Sequence, residues 1–382
     1  MVTIQSIIDK INHQIMDEAD VNRAIKVLRG GFLSKPDGGP MVVQFQNQMA
    51  AAHNQKYAVA VNSGTSAVHC AIAALELKPC EEVLVPVLAN IVDASTVIQE
   101  GGRPVFVDID PNSFNIDPEK IEIKINKNTR AIIVVHMYGQ PVKIDEIKKI
   151  SKKHNLVLIE DCAQAAGAKY KDKYVGSFGD ISCFSLYQTK HIISGEGGVV
   201  MTSNDKFSKI ISSVANNGIM KDDLDAYDYN RIGYNYQLTE IQGTLAIGQL
   251  KKLDKNNSKR RKNVELFKKL LKDIDITFQR TNSDSENVYF YLTGLLPKSL
   301  LAKRDKFIQI VKQLNTPIKK LYPMGLNEMT LLKNKYPPQD CPISQDITKR
   351  VFNLYVNPGL DKADITFMAN AVREAYKKIQ QN

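Results

Sequence analysis

A chain of 382 residues suits one large domain with a smaller one, or two of medium size, and with 43% hydrophobic and 24% charged residues it is too ordinary for a disordered or fibrous protein. No apolar run approaches the length of a membrane span, which argues against a membrane protein. The formal charge of +10 leaves two kinds of partner open: nucleic acid, and an anionic small molecule such as a nucleotide diphosphate.

The opening stretch "MVTIQSIIDKINHQIMDEADV" places Ile4, Ile7, Ile8 and Ile11 at helical spacing. It has no continuous apolar core, so it reads as an amphipathic helix and not as a signal peptide. Short apolar runs then recur at 57–62, 82–87, 104–109, 131–138, 155–161, 181–187 and 197–202. Most are continuous and not alternating, as strands covered on both faces are. Amphipathic segments such as "SAVHCAIAALEL" and "KIDEIKKISKKH" lie between them. Strands alternating with helices predict an open, mainly parallel α/β sheet, whose ligand sits beyond the carboxyl ends of the strands.

The pattern changes after about residue 250. The basic stretch "KKLDKNNSKRRKN" (Lys251–Asn263) lies in a helix pattern carried by Leu250, Leu253 and Val264, and reads as a solvated helix face. No nucleic-acid motif accompanies it, so we expect no nucleic-acid partner. A strand in "ENVYFYLTGLL", a helix, a Pro-rich loop around "KYPPQDCP" and a final helix "ADITFMANAVREAYKKIQ" follow. The expected division is a large α/β domain over 1–250, with the N-terminal helix, and a small α+β domain over 251–382. Cys70, Cys80, Cys162, Cys183 and Cys341 show no metal-ligand spacing, which predicts free thiols, no metal, and a reducing cytoplasm.

Three stretches carry chemistry. In "FSLYQTKHIISGEGG", Lys190 ends a buried-looking strand. A P-loop needs its glycines before the lysine, whereas Gly195, Gly197 and Gly198 follow it, and Gly176 and Gly179 are separated from it by a strand. A lysine partly desolvated at a strand end has a lowered pKa and can form a Schiff base. In "NLVLIEDCAQAAGA", Asp161 ends another buried strand with Gln164 three residues on. Such a carboxylate either caps the next helix or serves a cofactor, as pyridoxal phosphate needs an acid beside its ring nitrogen. In "AVNSGTSAVHCAIAAL", a strand runs through Gly64, Thr65 and Ser66 into a helix, whose first turn is a phosphate site or simply an N-cap. Ser185 lies five residues before the lysine and adds a hydroxyl to the same phosphate reading.

Together with "GYNYQLTEIQGTLAIGQLKKLD", these motifs resemble those of the DegT/DnrJ/EryC1/StrS aminotransferases, from "LRGGFLSKPDGGP" to "YVNPGL". The resemblance implies a fold-type I pyridoxal-phosphate enzyme, with a large α/β domain and a smaller C-terminal one. By it, Lys190 would be the Schiff-base lysine, Asp161 would pair with the ring nitrogen and Gln164 with the ring hydroxyl. Gly64, Thr65 and Ser185 would hold the phosphate. An asparagine of the "GYN" motif would reach it from the neighbouring subunit: Asn235 here, or, two residues later, Gln237. The family often places an aromatic residue against the ring in a "VPxxTF" segment; this chain has Asn90 at the matching position, so either the contact is made differently or the register differs.

The resemblance further implies a cytoplasmic homodimer with shared active sites. An amino group would pass from glutamate or glutamine, by way of pyridoxamine phosphate, to a nucleotide-linked 4-keto- or 3-keto-6-deoxy hexose for surface polysaccharide, glycan or antibiotic sugars. Residues near "GGFLSK" and "KKLYPM" would meet the substrate. Relatives that are deoxy-sugar dehydratases carry histidine where Lys190 stands. A non-catalytic regulatory relative would not need Lys190, Asp161 and Ser185 intact.

Overall fold

The computed structural model describes residues 3–12, 16–36, 38–219, 229 and 231–381. All of the apolar runs become strands of one seven-stranded mixed sheet. Across it lie, in order, Tyr57–Val61, Gly198–Thr202, Ile181–Ser185, Val157–Asp161, Thr129–Val135, Glu82–Pro86 and Arg103–Val107. Gly198–Thr202 is antiparallel to both of its neighbours, and every other pairing is parallel. Asp161 therefore lies in register with Cys183, two residues before the strand end at Ser185. The central strands are covered on both sides, and Glu82–Pro86 and Ile181–Ser185 are buried throughout.

Helix Gly64–Ala73 packs on one face of this sheet, with all positions from Ser66 to Ala73 buried. Ser63 caps it, its hydroxyl accepting the Ser66 N–H at 3.0 Å. A four-stranded antiparallel sheet of Thr277–Phe278, Leu292–Leu295, Val351–Leu354 and Ile318–Lys319 forms a second layer with helices Arg304–Gln313 and Lys362–Gln381.

Two features cross the expected division at residue 250. Helix Glu240–Leu270 runs through it for 31 residues, opened by a capping box between Thr239 and Gln242. The N-terminal helix Ile4–Asn12 packs on the C-terminal layer: Ile7 is fully buried among Leu292, Phe352, Val356 and Ile365. Lys10 reaches Asp361 at 2.8 Å and Asp364 at 2.7 Å. The single helix expected of the opening stretch is interrupted; Asp17 caps a separate helix, Glu18–Gly30. The basic stretch is helical as expected, but only part of it is solvated. Leu253, Asn256, Asn257 and Arg260 are buried, and burial lowers the Arg260 guanidinium to about 10. The five cysteines are free thiols, all buried except Cys80.

Candidate active site

The site lies at the carboxyl edge of the large sheet. Strands Ile181–Ser185 and Gly198–Thr202 are joined by a loop that carries Lys190, and the Lys190 N–H donates to the Tyr187 carbonyl at 2.8 Å. The loop folds back through Gly197, whose φ of 148° suits glycine. Lys190 is half-buried, and its Nζ lies 4.7 Å from the centre of the Phe290 ring. Burial pulls the Lys190 ammonium below its ordinary range, against the opposing pull of Asp161 and Asp93. A lysine so placed is more readily a neutral amine, and the neutral amine is the nucleophile.

Asp161 closes the neighbouring strand and is 6% exposed. Its Oδ1 accepts the Ala163 N–H at 2.8 Å. Burial raises its carboxyl, and the Ala163 N–H, Lys190 and His136 act the other way. Gln164 is held from both ends: its Oε1 accepts the Tyr138 N–H at 3.0 Å and its Nε2 donates to the Tyr322 hydroxyl at 2.9 Å.

Ser185 and Gly64 meet directly. A β-carbon on Gly64 would stand 2.6 Å from the Ser185 Cβ and 2.9 Å from its Oγ, so only glycine lets the helix N-terminus approach this hydroxyl. The Ser63 side chain occupies the Ser66 N–H, while the N–H groups of Gly64 and Thr65 precede the first intrahelical acceptor. With the positive end of the helix dipole, they form a turn able to receive an anion.

The remaining expected residues are less buried, although the Asn90 side chain comes within hydrogen-bonding reach of Tyr322. Asn90 is exposed, and its Oδ1 accepts the Val92 N–H at 3.1 Å. The Asn235 carbonyl accepts from Asn62 Nδ2 at 3.2 Å, two residues before Gly64, and its side chain is exposed. Gln237 is half-buried and donates to Asn216 at 2.8 Å. It also lines a cavity of about 390 Å³ with Lys35, Gln46 and Tyr57, none of which is a residue of the Lys190 edge.

Several residues come into the site that sequence reasoning did not name. Tyr322, within "KKLYPM", reaches Gln164 from the C-terminal layer; burial, then the charges of Asp93 and Asp161, raise its phenol. Tyr138 adopts a left-handed φ of 57° and donates its hydroxyl to the Leu321 carbonyl at 2.5 Å. Asp93 is fully buried in the first turn of helix Val92–Gln99. Its sequence signal is an acid beside Ala94 and four residues before Val97, on the face that the helix buries.

His136, Glu160 and Cys162 bring potential metal-ligand atoms within 4.8 Å of one another. Their donors and acceptors are already engaged. Glu160 accepts the N–H groups of Gly176, Phe178 and Gly179 at 2.6–2.8 Å and His136 Nε2 at 3.1 Å, while His136 Nδ1 accepts the Val142 N–H at 3.2 Å. With these groups already bonded to one another, the cluster is a structural anchor.

The chain is similar to known proteins over nearly its whole length. A family model described as the DegT/DnrJ/EryC1/StrS aminotransferase family matches residues 14–373. The chain is 32% identical to a GDP-perosamine synthase of Escherichia coli O157:H7, over 88% of this chain and 91% of that protein. The solved aminotransferase of Psychrobacter cryohalolentis superposes with a TM-score of 0.87 at 27% identity, covering 96% of this chain and 98% of that one. A GDP-4-keto-6-deoxymannose-3-dehydratase, solved with a trapped PLP-glutamate geminal diamine, is equally similar in fold: TM-score 0.87, 26% identity, 95% of this chain and 99% of that one.

Proposed function

The chain belongs to the DegT/DnrJ/EryC1/StrS aminotransferase family, and on that footing we propose that it transfers an amino group from glutamate or glutamine to a nucleotide-linked keto sugar, aminated at C4 or C3 of a 6-deoxy hexose. One observation supports this most: Lys190, Asp161, Gln164, Ser185 and Gly64 converge on a single sheet edge from separate segments of the chain.

These residues suit pyridoxal phosphate. The Gly64–Ser185 approach leaves a cradle for a phosphate, a buried carboxyl stands at Asp161 for a ring nitrogen, and a desolvated amine stands at Lys190. When bound, the cofactor supplies an aldehyde that captures amines and a ring that takes up the electron pair released when a proton leaves the substrate carbon. Gly64, Thr65 and Ser185 would hold its phosphate, Asp161 would keep the ring nitrogen protonated, and Gln164 would meet the ring hydroxyl. Lys190 would anchor it through Nζ and then accept and return a proton at that atom. Asn90 would lie against the ring where an aromatic is common. Asn235, whose side chain is exposed while that of Gln237 is tied to Asn216, would reach the phosphate of a second subunit. The enzyme would thus be a cytoplasmic homodimer with shared sites. Residues 1–250 would bind the cofactor and residues 251–382 would bring Tyr322 over it.

A dehydratase is the second reading, favoured by the similarity to the keto-deoxymannose dehydratase. Lys190 weighs against it, because His191 is one position too late and is buried, with burial holding its imidazole well below its usual range. The deciding experiment incubates the cofactor-loaded enzyme and glutamate with UDP-, GDP- and dTDP-linked 4-keto and 3-keto sugars. Mass spectrometry and NMR would identify an aminated product; a deoxygenated sugar without nitrogen would overturn the transaminase reading.

A further inference from the structure

Asp93 is a fully buried carboxyl whose two oxygens accept no well-formed hydrogen bond from any described residue. A carboxylate in that condition has lost its water without replacement, which is costly enough that the group takes a proton instead. The Asp93 side chain comes within hydrogen-bonding reach of the Asp161 side chain. Two carboxylates cannot meet in this way unless one of them carries a proton.

We infer that Asp93 is a positioning residue of the active site, a neutral carboxylic acid that donates its proton to the Asp161 carboxylate and fixes that carboxylate's orientation. The inference rests on the role proposed above for Asp161. The pair then bears one negative charge in place of two, and that charge stays on Asp161, the member that also accepts the Ala163 N–H and faces Lys190. The other titratable groups around Asp93 suit this assignment. Lys190 lies on the loop after Ser185, Tyr322 on the C-terminal layer and Cys183 on strand Ile181–Ser185. Lys190 is the cation that acts on both members, and burial opposes its charge; His136 acts on Asp161 in the same direction, and burial outweighs both. Burial and the Asp161 charge push the Asp93 carboxyl well above the usual range, while the nearby Asn90 N–H opposes this weakly. The two groups titrate as a unit, giving up the shared proton only in a range far above an ordinary aspartate.

The test needs readouts besides turnover. Wild-type apoenzyme should show at neutral pH an infrared carbonyl band of a protonated carboxylic acid, and Asp93→Asn should lack it. A group whose folded pKa is raised stabilises the fold fully at low pH and loses that contribution as pH rises toward the folded pKa. The wild-type urea midpoint should therefore fall with rising pH more steeply than that of Asp93→Asn. In loaded enzyme, Asp93→Leu should lower kcat roughly tenfold or more, the scale of one orienting hydrogen bond to a charged group. Asp93→Asn should lose less, since an amide N–H still donates to Asp161. Absence of the wild-type band, or parallel pH–stability curves, would overturn the inference. If borohydride fixes no cofactor on Lys190, the proposed function fails instead; the infrared result still stands by itself and does not depend on the loaded enzyme. Should neither variant fold, the wild-type infrared pH titration alone decides.

Discussion

Gly64 and Ser185 meet so closely that the space between helix Gly64–Ala73 and strand Ile181–Ser185 has no room for a methyl group. A β-carbon on Gly64 would come within 2.6 Å of the Ser185 Cβ and 3.3 Å of its Cα. Rotation of the serine side chain relieves neither contact. Gly64→Ala must therefore push the helix N-terminus away from the hydroxyl. Losing charge-assisted contacts to a phosphate should weaken pyridoxal phosphate binding roughly 10- to 100-fold. Ser185→Ala removes a single donor and should cost less. Titration of apoenzyme with the cofactor, followed by absorbance, compares the two; equal affinities for Gly64→Ala and wild type would remove this turn from the phosphate site.

Lys190 should carry the covalent bond to the cofactor. Borohydride reduction followed by digestion should leave a pyridoxyl mass on the peptide containing Lys190. Lys190→Ala should still bind pyridoxamine phosphate through the remaining contacts yet show no turnover. A label on any other lysine would displace the whole arrangement.

Asp161→Asn should keep the fold and much of the cofactor, because its carboxyl is not part of the anion cradle. A neutral amide no longer favours a protonated ring nitrogen, so turnover should fall by orders of magnitude, with KM changing much less. A near-normal kcat would assign the ring nitrogen to another group.

Subunit sharing can be read from hybrids. If Asn235 serves the neighbouring chain, mixing inactive Lys190→Ala with weakened Asn235→Ala should restore part of the activity, since one site of each hybrid dimer receives both intact residues. The Asn62–Asn235 contact within one chain gives the opposite outcome physical content. No recovery on confirmed exchange would mean that each site is built within a single chain.

The Glu160 anchor sets an acid limit. Burial opposes its charge, but His136 and the Gly176 and Gly179 N–H groups outweigh this and hold its carboxyl below the usual range. A lowered folded pKa contributes stability above the unfolded pKa and loses it as pH falls through the folded one. Glu160→Gln should destabilise at neutral pH by roughly 1–3 kcal/mol, the scale of leaving buried donors short of a charged acceptor. It should also flatten the decline of the urea midpoint below about pH 4.5. An unchanged acid limb in this variant would place the proton uptake elsewhere.

Much of this was legible in the sequence because it is written locally. Continuous apolar runs ending on Asp161 and Ser185 mark covered strands, and "SGTS" marks a helix start, so the sheet edge and its candidate residues follow from neighbours along the chain. Tyr138 and Tyr322 follow from no such pattern, and the helical spacing of Asp93 marks its burial but not its partner. Their roles depend on which segments the fold brings together: Tyr322 meets Gln164 across 158 positions of sequence. Packing also overrode charge in the basic stretch, where Arg260 and Asn257 turn inward from a run that composition reads as solvated. The start of the chain was legible in part for a related reason. Its isoleucines do form a helix, but the partner that buries Ile7 lies at the far end of the sequence.

That last contact orders events during synthesis. Ile7 and Lys10 leave the ribosome long before their partners Val356, Asp361, Asp364 and Ile365, which for Lys10 lie 351 and 354 positions further along the chain. Until those arrive, the first helix has an apolar stripe and no surface to cover it. The large sheet, whose strands are complete by Thr202, can assemble while the chain is still being made. The C-terminal layer then closes on the waiting helix. A ribosome stalled before residue 350 would hold a nearly finished sheet with Ile4, Ile7 and Ile8 bare, the state that a chaperone meets.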